Sequence, residues 1–297
     1  MRQSAPADAA VETLLRVVSR DGAQADLHLL RPVGAAHDFV LWLPALGVAA
    51  RNYLPFARAL AAHGIAVALH EWRGIGSSDR RAGRNADWAY RELLLADIPA
   101  SLAAARAVMP DARLWLGGHS LGGQIASLFA ALHPRAPAGL LLVASGSPYW
   151  RTFRLRWAIG MVVVAAPSLA SMLGHFPGRR LGFGGNEARG LIADWARSGR
   201  SGRYSVAGMA EDLEARLGAL TLPVLSLRLR DDWLGPQASL QWLLGKMPRA
   251  VREAAEISAN DQDGVRADHF AWMKSPRAVA ARLAERICAS SAVRPPN

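Results

Sequence analysis

Residues 114–124, Leu-Trp-Leu-Gly-Gly-His-Ser-Leu-Gly-Gly-Gln, decide the fold of this chain. A short apolar run stops at paired glycines, and a helical pattern rich in alanine and leucine begins after the serine. This order predicts a strand, a sharp turn and a helix, with Ser120 at the apex, where a strained backbone would expose its hydroxyl. Gly118 and Gly122 would let strand and helix approach closely. The N–H of Leu121, at the start of the helix, would be free to face an oxyanion.

The pattern Gly-x-Ser-x-Gly is weak evidence alone, since roughly one chain in six of this length and composition would carry it by chance. The flanking sequence supports it, because other short apolar runs alternate with helical patterns. These runs are typical of strands buried on both faces: Phe39–Leu43, Ile65–Leu69, Leu140–Val143 and Val224–Leu229. Together with an N-terminal hairpin, they predict an α/β fold with a mostly parallel, eight-stranded sheet and helices on both faces.

The alternation of strands and helices breaks after residue 147 and resumes near residue 219. We therefore divide the chain into a core, residues 1–147 and 219–297, and a helical insertion, residues 148–218. Within the insertion, Trp157–Leu173 is apolar and uncharged and has arginines near both ends. It is shorter than the roughly 20 residues of a membrane span, and it contains Pro167. The favoured interpretation is that this stretch forms two helices of a cap that covers the site. Peripheral membrane contact is the less favoured alternative.

A serine hydroxyl needs a general base, and that base needs an orienting carboxylate. Of the eight histidines, only His269 follows the last core strand in a loop before the final helix, which makes it the predicted base. The carboxylate should follow the strand at residues 224–229, where Asp231 and Asp232 are the candidates. Asp232 is favoured because it opens the turn that leads into the next helix, and Asp231 stays as the alternative.

A second oxyanion donor should come from the loop Pro44-Ala-Leu-Gly47, which follows the strand Phe39–Leu43. Leu46 N–H is the predicted donor beside that of Leu121, and Ala45 is the next candidate. No metal or organic cofactor is expected, because the sequence has no cluster of histidines and cysteines at ligand spacing.

The formal net charge is +11, and the basic residues are nearly all arginine. These arginines are spread along the chain without a basic run or a zinc-finger spacing, so a nucleic-acid partner is not expected. Cys288 is the only cysteine, which excludes an intramolecular disulfide and suits a reducing compartment. The N-terminal residues lack the apolar run of a signal peptide, so we expect a cytoplasmic protein. The sequence indicates no particular oligomeric state.

Three stretches resemble the α/β-hydrolase superfamily. Gly118-His-Ser-Leu-Gly122 matches its nucleophile turn, Glu71-Trp-Arg-Gly-Ile-Gly-Ser-Ser-Asp79 resembles its Asp-x-Arg-Gly-x-Gly-x-Ser loop, and Asp268-His-Phe270 resembles the stretch around its catalytic histidine. Within the superfamily the chain is most similar to bacterial serine hydrolases of the monoglyceride-lipase or serine-aminopeptidase-like type. It departs from the family pattern at Glu71, where aspartate is usual, and at Pro44-Ala45, where His-Gly is usual.

The resemblance and the residues together predict a serine hydrolase that works through an acyl-enzyme. An ester with a hydrophobic acyl or alcohol group is the expected small-molecule substrate, because the insertion over the site is apolar. A peptidase, a thioesterase or an acyltransferase could use the same three residues. The alternative to an enzyme is a binding protein that keeps the fold without catalysis.

Overall fold

The structure of the protein is a computed structural model that describes residues 10–292. The N-terminal stretch on which the expected localisation rests lies outside the described residues, apart from Ala10. The last five residues of the polar C-terminal tail also lie outside them.

Eight strands form one sheet, and they are β1 (Val11–Val18), β2 (Gln24–Arg31), β3 (Asp38–Leu43), β4 (Ala66–Leu69), β5 (Arg113–His119), β6 (Leu140–Val143), β9 (Pro223–Leu229) and β10 (Val251–Ile257). Their order is β1-β2-β4-β3-β5-β6-β9-β10. β2 is antiparallel to both of its neighbours, and the other neighbouring pairs are parallel. The predicted eight-stranded, mostly parallel sheet is therefore confirmed. Two short strands, β7 (Phe176–Pro177) and β8 (Asn186–Glu187), pair with each other in the insertion.

Helices cover both faces of this sheet, which explains why its central strands are apolar along their whole length. One face packs against α1 (Leu54–Ala61) and α10 (Arg277–Ala292). The other packs against α3 (Ile98–Val108), α4 (Leu121–Leu132) and α9 (Gln237–Gly245). A short helix, α2 (Tyr90–Glu92), and a π-helical turn (Leu93–Asp97) lead directly into α3.

The insertion follows the carboxyl end of β6 and contains α5 (Arg156–Leu173), α6 (Gly178–Leu181), α7 (Arg189–Ser201) and α8 (Leu213–Gly218). The expectation of two helices in Trp157–Leu173 is wrong, because α5 is continuous across Pro167. A proline cannot donate to the carbonyl four residues earlier, which is that of Val163. Arg200 Nη1, on α7, donates to Val163 O at 3.3 Å and so satisfies this carbonyl.

The loop after β4 carries a buried ion pair. Arg73 donates from Nε and Nη2 to the two carboxylate oxygens of Asp97, at 3.0 and 2.6 Å, and both side chains are almost fully buried. Arg73 also reaches the more exposed Asp21. The neighbouring Trp72 donates from Nε1 to Pro44 O at 2.8 Å. The ion pair thus holds a loop that in turn contacts the end of β3.

Arg73→Met is expected to lower the free energy of unfolding by about 3–5 kcal/mol, because it leaves the Asp97 carboxylate buried without its partner. Urea denaturation followed by circular dichroism measures the change. Arg80→Met, which breaks an exposed contact with Asp79, is the matched control and should cost less than about 1 kcal/mol. Equal effects of the two substitutions would contradict the role assigned to the Arg73–Asp97 pair.

Candidate active site

Ser120 lies at the turn between β5 and α4 with φ 55° and ψ −118°, a conformation that non-glycine residues rarely adopt. Hydrogen bonds hold the strained backbone in place. Ser120 N donates to Val143 O on β6 at 3.1 Å, and Ser120 O accepts from Gly123 N at 3.1 Å. The side chain is half-buried, and its hydroxyl forms no hydrogen bond within the described residues. The turn therefore presents an unengaged hydroxyl.

Two glycines allow helix α4 to begin against the strands. A Cβ on Gly122 would lie 1.9 Å from Leu43 O, and one on Gly118 would lie 2.3 Å from the Gly122 carbonyl carbon. Neither position can carry a side chain without moving backbone. The start of α4 therefore lies directly beside the end of β3 and the loop that follows it.

Asp232 and His269 form a buried hydrogen-bonded pair. The Nδ1 of His269 lies 2.7 Å from Asp232 Oδ2, and both side chains are at most 8% exposed. The other carboxylate oxygen, Oδ1, accepts from Leu234 N at 2.8 Å and from Gly235 N at 3.0 Å. A carboxylate held in this way orients the histidine and fixes its tautomer with the proton on Nδ1.

The structure separates the two candidate aspartates. Asp231 is half-exposed, and its N–H donates to Ala267 O at 2.9 Å, whereas its carboxylate makes no hydrogen bond within the described residues. Only Asp232 contacts His269.

His269 also lies beside the serine turn. Its ring centroid is 4.7 Å from that of His119, the residue before Ser120. No hydrogen bond joins Ser120 to His269 in the described structure. Such bonds are often long until substrate is bound. The structure thus joins Asp232 to His269 and places His269 near Ser120 without joining them.

The two predicted oxyanion donors are unengaged. No hydrogen bond occupies the N–H of Leu46 or of Leu121 in the part of the chain that the structure describes. The next candidate, Ala45, donates its N–H to Tyr53 Oη at 2.9 Å. Ala45 N–H is therefore not available to a substrate in this structure, whereas Leu46 N–H is.

Tyr53 and His119 are not singled out by the sequence pattern, yet they connect this loop to the serine turn. Tyr53 Oη lies 2.8 Å from His119 Nδ1. Because the oxygen already accepts from Ala45, its own hydrogen is donated to His119 Nδ1. Burial and the nearby His269 lower the pKa of His119 well below its ordinary value, so the ring accepts this bond as a neutral imidazole. No short-range sequence signal pairs residues this far apart.

The insertion also contacts the loop Pro44–Gly47. Gly47, at φ 73°, lies so close to the insertion that a Cβ there would be 2.0 Å from Gly185 N. Gly185 N donates to Glu187 Oε1 at 2.7 Å. Burial raises the pKa of this Glu187 carboxyl to about 7. Gly184 and Gly185 therefore pack backbone to backbone on the loop that carries Leu46.

Among residues 10–292, no three His, Cys, Asp or Glu side chains come together as a metal site would need.

Sequence comparison shows which family pattern the chain shares. The family model described as serine aminopeptidase, S33, matches residues 34–181, which include β3, β4, the serine turn and α5. No curated protein is similar enough in sequence to count as a relative.

Solved structures share the fold over almost the whole chain. A haloalkane dehalogenase from Agrobacterium tumefaciens is 14% identical, with a TM-score of 0.61 over 96% of this chain and 99% of its own. An esterase from Pyrococcus furiosus is 14% identical, with a TM-score of 0.59 over 97% of this chain and 95% of its own. A thermophilic esterase from Thermogutta terrifontis is 15% identical, with a TM-score of 0.58 over 94% of this chain and 99% of its own. At these identities the likeness shows the fold and leaves the reaction open.

Tyr53→Phe is expected to lower the free energy of unfolding by about 1–3 kcal/mol, because it leaves Ala45 N–H and His119 Nδ1 buried without partners. Thermal and urea unfolding measure the change. Tyr149→Phe is the matched control, since it removes a hydroxyl that contacts only the exposed Arg151. If Tyr53→Phe unfolds like the wild type, the bond across Tyr53 does not hold the loop.

Proposed function

Since the chain belongs to the α/β-hydrolase superfamily, we propose that it is a serine hydrolase that cleaves an ester of a hydrophobic acyl or alcohol group. The observation that carries the proposal is the buried Asp232–His269 pair beside the strained, half-buried Ser120. The presence of a serine, a histidine and an aspartate together speaks against a binding protein that keeps the fold without catalysis.

In the proposed reaction, His269 Nε2 removes the proton from Ser120 as Oγ attacks the ester carbonyl. Asp232 keeps the proton of His269 on Nδ1 and stabilises the imidazolium that forms. The N–H groups of Leu46 and Leu121 bind the oxyanion of the tetrahedral intermediate. Each such donor is worth about 3–4 kcal/mol of barrier.

The intermediate then collapses as His269 gives its proton to the leaving alkoxide, which departs as the alcohol and leaves an acyl group on Ser120. Water enters, gives a proton to His269 and attacks the acyl carbon. Collapse of this second intermediate releases the carboxylic acid and returns the proton to Ser120. The chain's own residues supply every proton transfer in this cycle.

Apolar side chains beside the site support a hydrophobic group on the substrate. Phe270 is 45% exposed, and its ring centroid lies 4.8 Å from that of His269. The side chain of Leu46 is partly exposed and adds further apolar surface. A hydrophobic acyl or alcohol chain that covers such surface gains affinity from the area it buries.

An aminopeptidase is the second candidate, and the match of residues 34–181 to the serine aminopeptidase model favours it. Matched p-nitrophenyl esters and aminoacyl p-nitroanilides separate the two functions. Because p-nitrophenyl esters are more reactive than anilides, a faster ester reaction alone does not decide between them. Anilide turnover that Ser120→Ala abolishes supports the peptidase, and ester turnover without any anilide turnover supports the esterase.

Ser120→Ala is expected to lower kcat on p-nitrophenyl butyrate at least about 10⁴-fold and to abolish labelling by a fluorophosphonate probe, because the attacking oxygen is gone. Ser168→Ala, at an exposed serine on α5, is the control and should keep both activities. A wild-type protein that neither hydrolyses any ester of a chain-length series nor reacts with the probe would refute a serine hydrolase. Full turnover by Ser120→Ala would refute Ser120 as the nucleophile.

Asp232→Asn is expected to lower kcat about 10³–10⁴-fold, because an amide at this position no longer holds His269 in the reactive tautomer. Asp231→Asn makes the same chemical change at the neighbouring position and should alter kcat less than about threefold, since its carboxylate contacts nothing in the site. Steady-state kinetics on one ester compare them. A larger loss from Asp231→Asn would reverse the assignment.

A further inference from the structure

Helix α5 exposes a mostly apolar and uncharged face on the outside of the insertion. It is long and apolar enough to cross a membrane, yet only 17% of it is buried inside the protein. Surface helices of proteins in water normally carry charged residues on the outer face. From Trp157 to Leu173 this helix carries none.

Buried and exposed residues divide the helix into two clear faces. Val163, Ala166 and Ala170 are buried and form the inner face, one or two turns apart. The outer stripe follows the same helical spacing and consists of large side chains: Trp157 and Met161 are both 69% exposed, Val164 is 61% exposed and Met172 is 72% exposed. Ser168, which is also exposed, lies in the same row between Val164 and Met172. A large and mostly apolar stripe of this kind marks an interaction surface.

The helix lies along the protein surface and does not span a bilayer. Its inner face packs on α7, and the Arg200 side chain of that helix is bonded to Val163 O in the middle of α5. Leaving the protein to span a membrane would expose the buried face and this carbonyl. The outer stripe can meet a partner while the inner face stays packed.

Arginines surround both ends of this stripe. Arg151, Arg154 and Arg156 lie at the start of α5, are exposed, and form no ion pair within the described residues. Arg179 and Arg180 follow the helix and are exposed too. Cations at a helix N-terminus oppose the helix dipole, so this placement costs stability unless an anion is present. Arg156 also stacks on Trp157, with its Cζ 5.7 Å from the ring centroid, which joins the basic end to the apolar stripe.

We propose that the outer face of α5 docks on an anionic lipid bilayer, with its apolar stripe among the acyl chains and the flanking arginines on lipid phosphates. An apolar stripe with arginines at its ends is the pattern of a helix that lies in a membrane interface. Anionic headgroups supply the negative charge that these arginines lack within the protein. The net charge of +11 favours the same partner.

A second copy of the chain fits this face poorly. Pairing two identical α5 faces about a twofold axis would bring the basic end of one copy against a basic end of the other, because both ends of the stripe carry arginines. Unpaired like charges at close range oppose such a dimer. Anionic lipids, by contrast, place negative charge next to the arginines, so this repulsion does not arise.

Co-sedimentation of the full chain with vesicles tests the proposal. We expect binding to vesicles of phosphatidylcholine mixed with phosphatidylglycerol, and at least about tenfold weaker binding to phosphatidylcholine alone. Raising NaCl from about 0.05 M to about 0.5 M should weaken binding to the anionic vesicles, because salt screens the arginines. Trp157→Glu/Met161→Glu should weaken binding at least about tenfold by placing charge in the acyl region.

Control variants distinguish binding through the α5 face from binding that any change in net charge or any exposed apolar residue would affect. Arg154→Glu/Arg156→Glu should weaken binding strongly. Arg135→Glu/Arg249→Glu makes the same change in net charge at two exposed arginines that precede β6 and β10, at the amino ends of these strands. This variant should keep most of the binding. Val33→Glu, at a 65% exposed valine in the loop between β2 and β3, is the control for the apolar stripe. Unchanged thermal unfolding of every variant, and unchanged turnover of a soluble ester where the wild type has it, show that the fold and the site are intact.

Three results would overturn the proposal, and none depends on the proposed function. They are the absence of binding to anionic vesicles, binding that survives Trp157→Glu/Met161→Glu, and equal losses in the α5 variants and their controls. A dimer seen by analytical ultracentrifugation that Trp157→Glu/Met161→Glu dissolves, without vesicle binding, would assign the face to self-association instead.

Discussion

The close approach of α4 to the end of β3 is the constraint on which the candidate site depends. Gly122 lies against Leu43 O, where even a methyl group would overlap the carbonyl. Because the helix must begin at this point, the preceding residue has to turn the chain sharply, and Ser120 takes the strained conformation that results. The same contact places the first N–H of α4, that of Leu121, beside the loop after β3. A single steric requirement thus sets the conformation of the serine turn and the position of the Leu121 N–H.

Separate parts of the chain hold the loop Pro44–Gly47 in one conformation. Trp72, on the loop with the buried Arg73 ion pair, donates to Pro44 O, and Tyr53 accepts from Ala45 N. The insertion packs its backbone on Gly47. These contacts leave Leu46 N–H unengaged in a loop that is otherwise fixed. In the proposed reaction, a donor that is already held in place needs no reorganisation when charge develops.

The sheet and the serine turn could be predicted because their signals are local. Apolar runs of strand length reveal buried parallel strands, and the glycine spacing around Ser120 reflects a steric need within a few residues. Contacts between distant residues carry no such signal. The bond from Arg200 to Val163 O lets α5 continue across Pro167, and the bond from Tyr53 to His119 supports the turn, yet each joins residues far apart in the sequence.

The choice between Asp231 and Asp232 shows the same limit on a smaller scale. Both follow β9 and have the same side chain, so composition and order cannot separate them. The N–H of Asp231 donates to Ala267 O, whereas the carboxylate of Asp232 accepts from Leu234 and Gly235 and contacts His269. Tertiary contact with residues near 267 thus decides which carboxylate meets the histidine.

The insertion links the two proposals through one stretch of backbone. Gly184 and Gly185, which pack on the loop that carries Leu46, follow α5 in the same insertion after β7 and α6. The insertion that carries the proposed bilayer-binding face is therefore the same one that contacts the loop Pro44–Gly47. Binding to a bilayer would bring the protein to the phase in which hydrophobic esters dissolve, because exposing apolar surface to water is unfavourable. The exposed apolar face and the proposed preference for a hydrophobic substrate thus have a common physical basis.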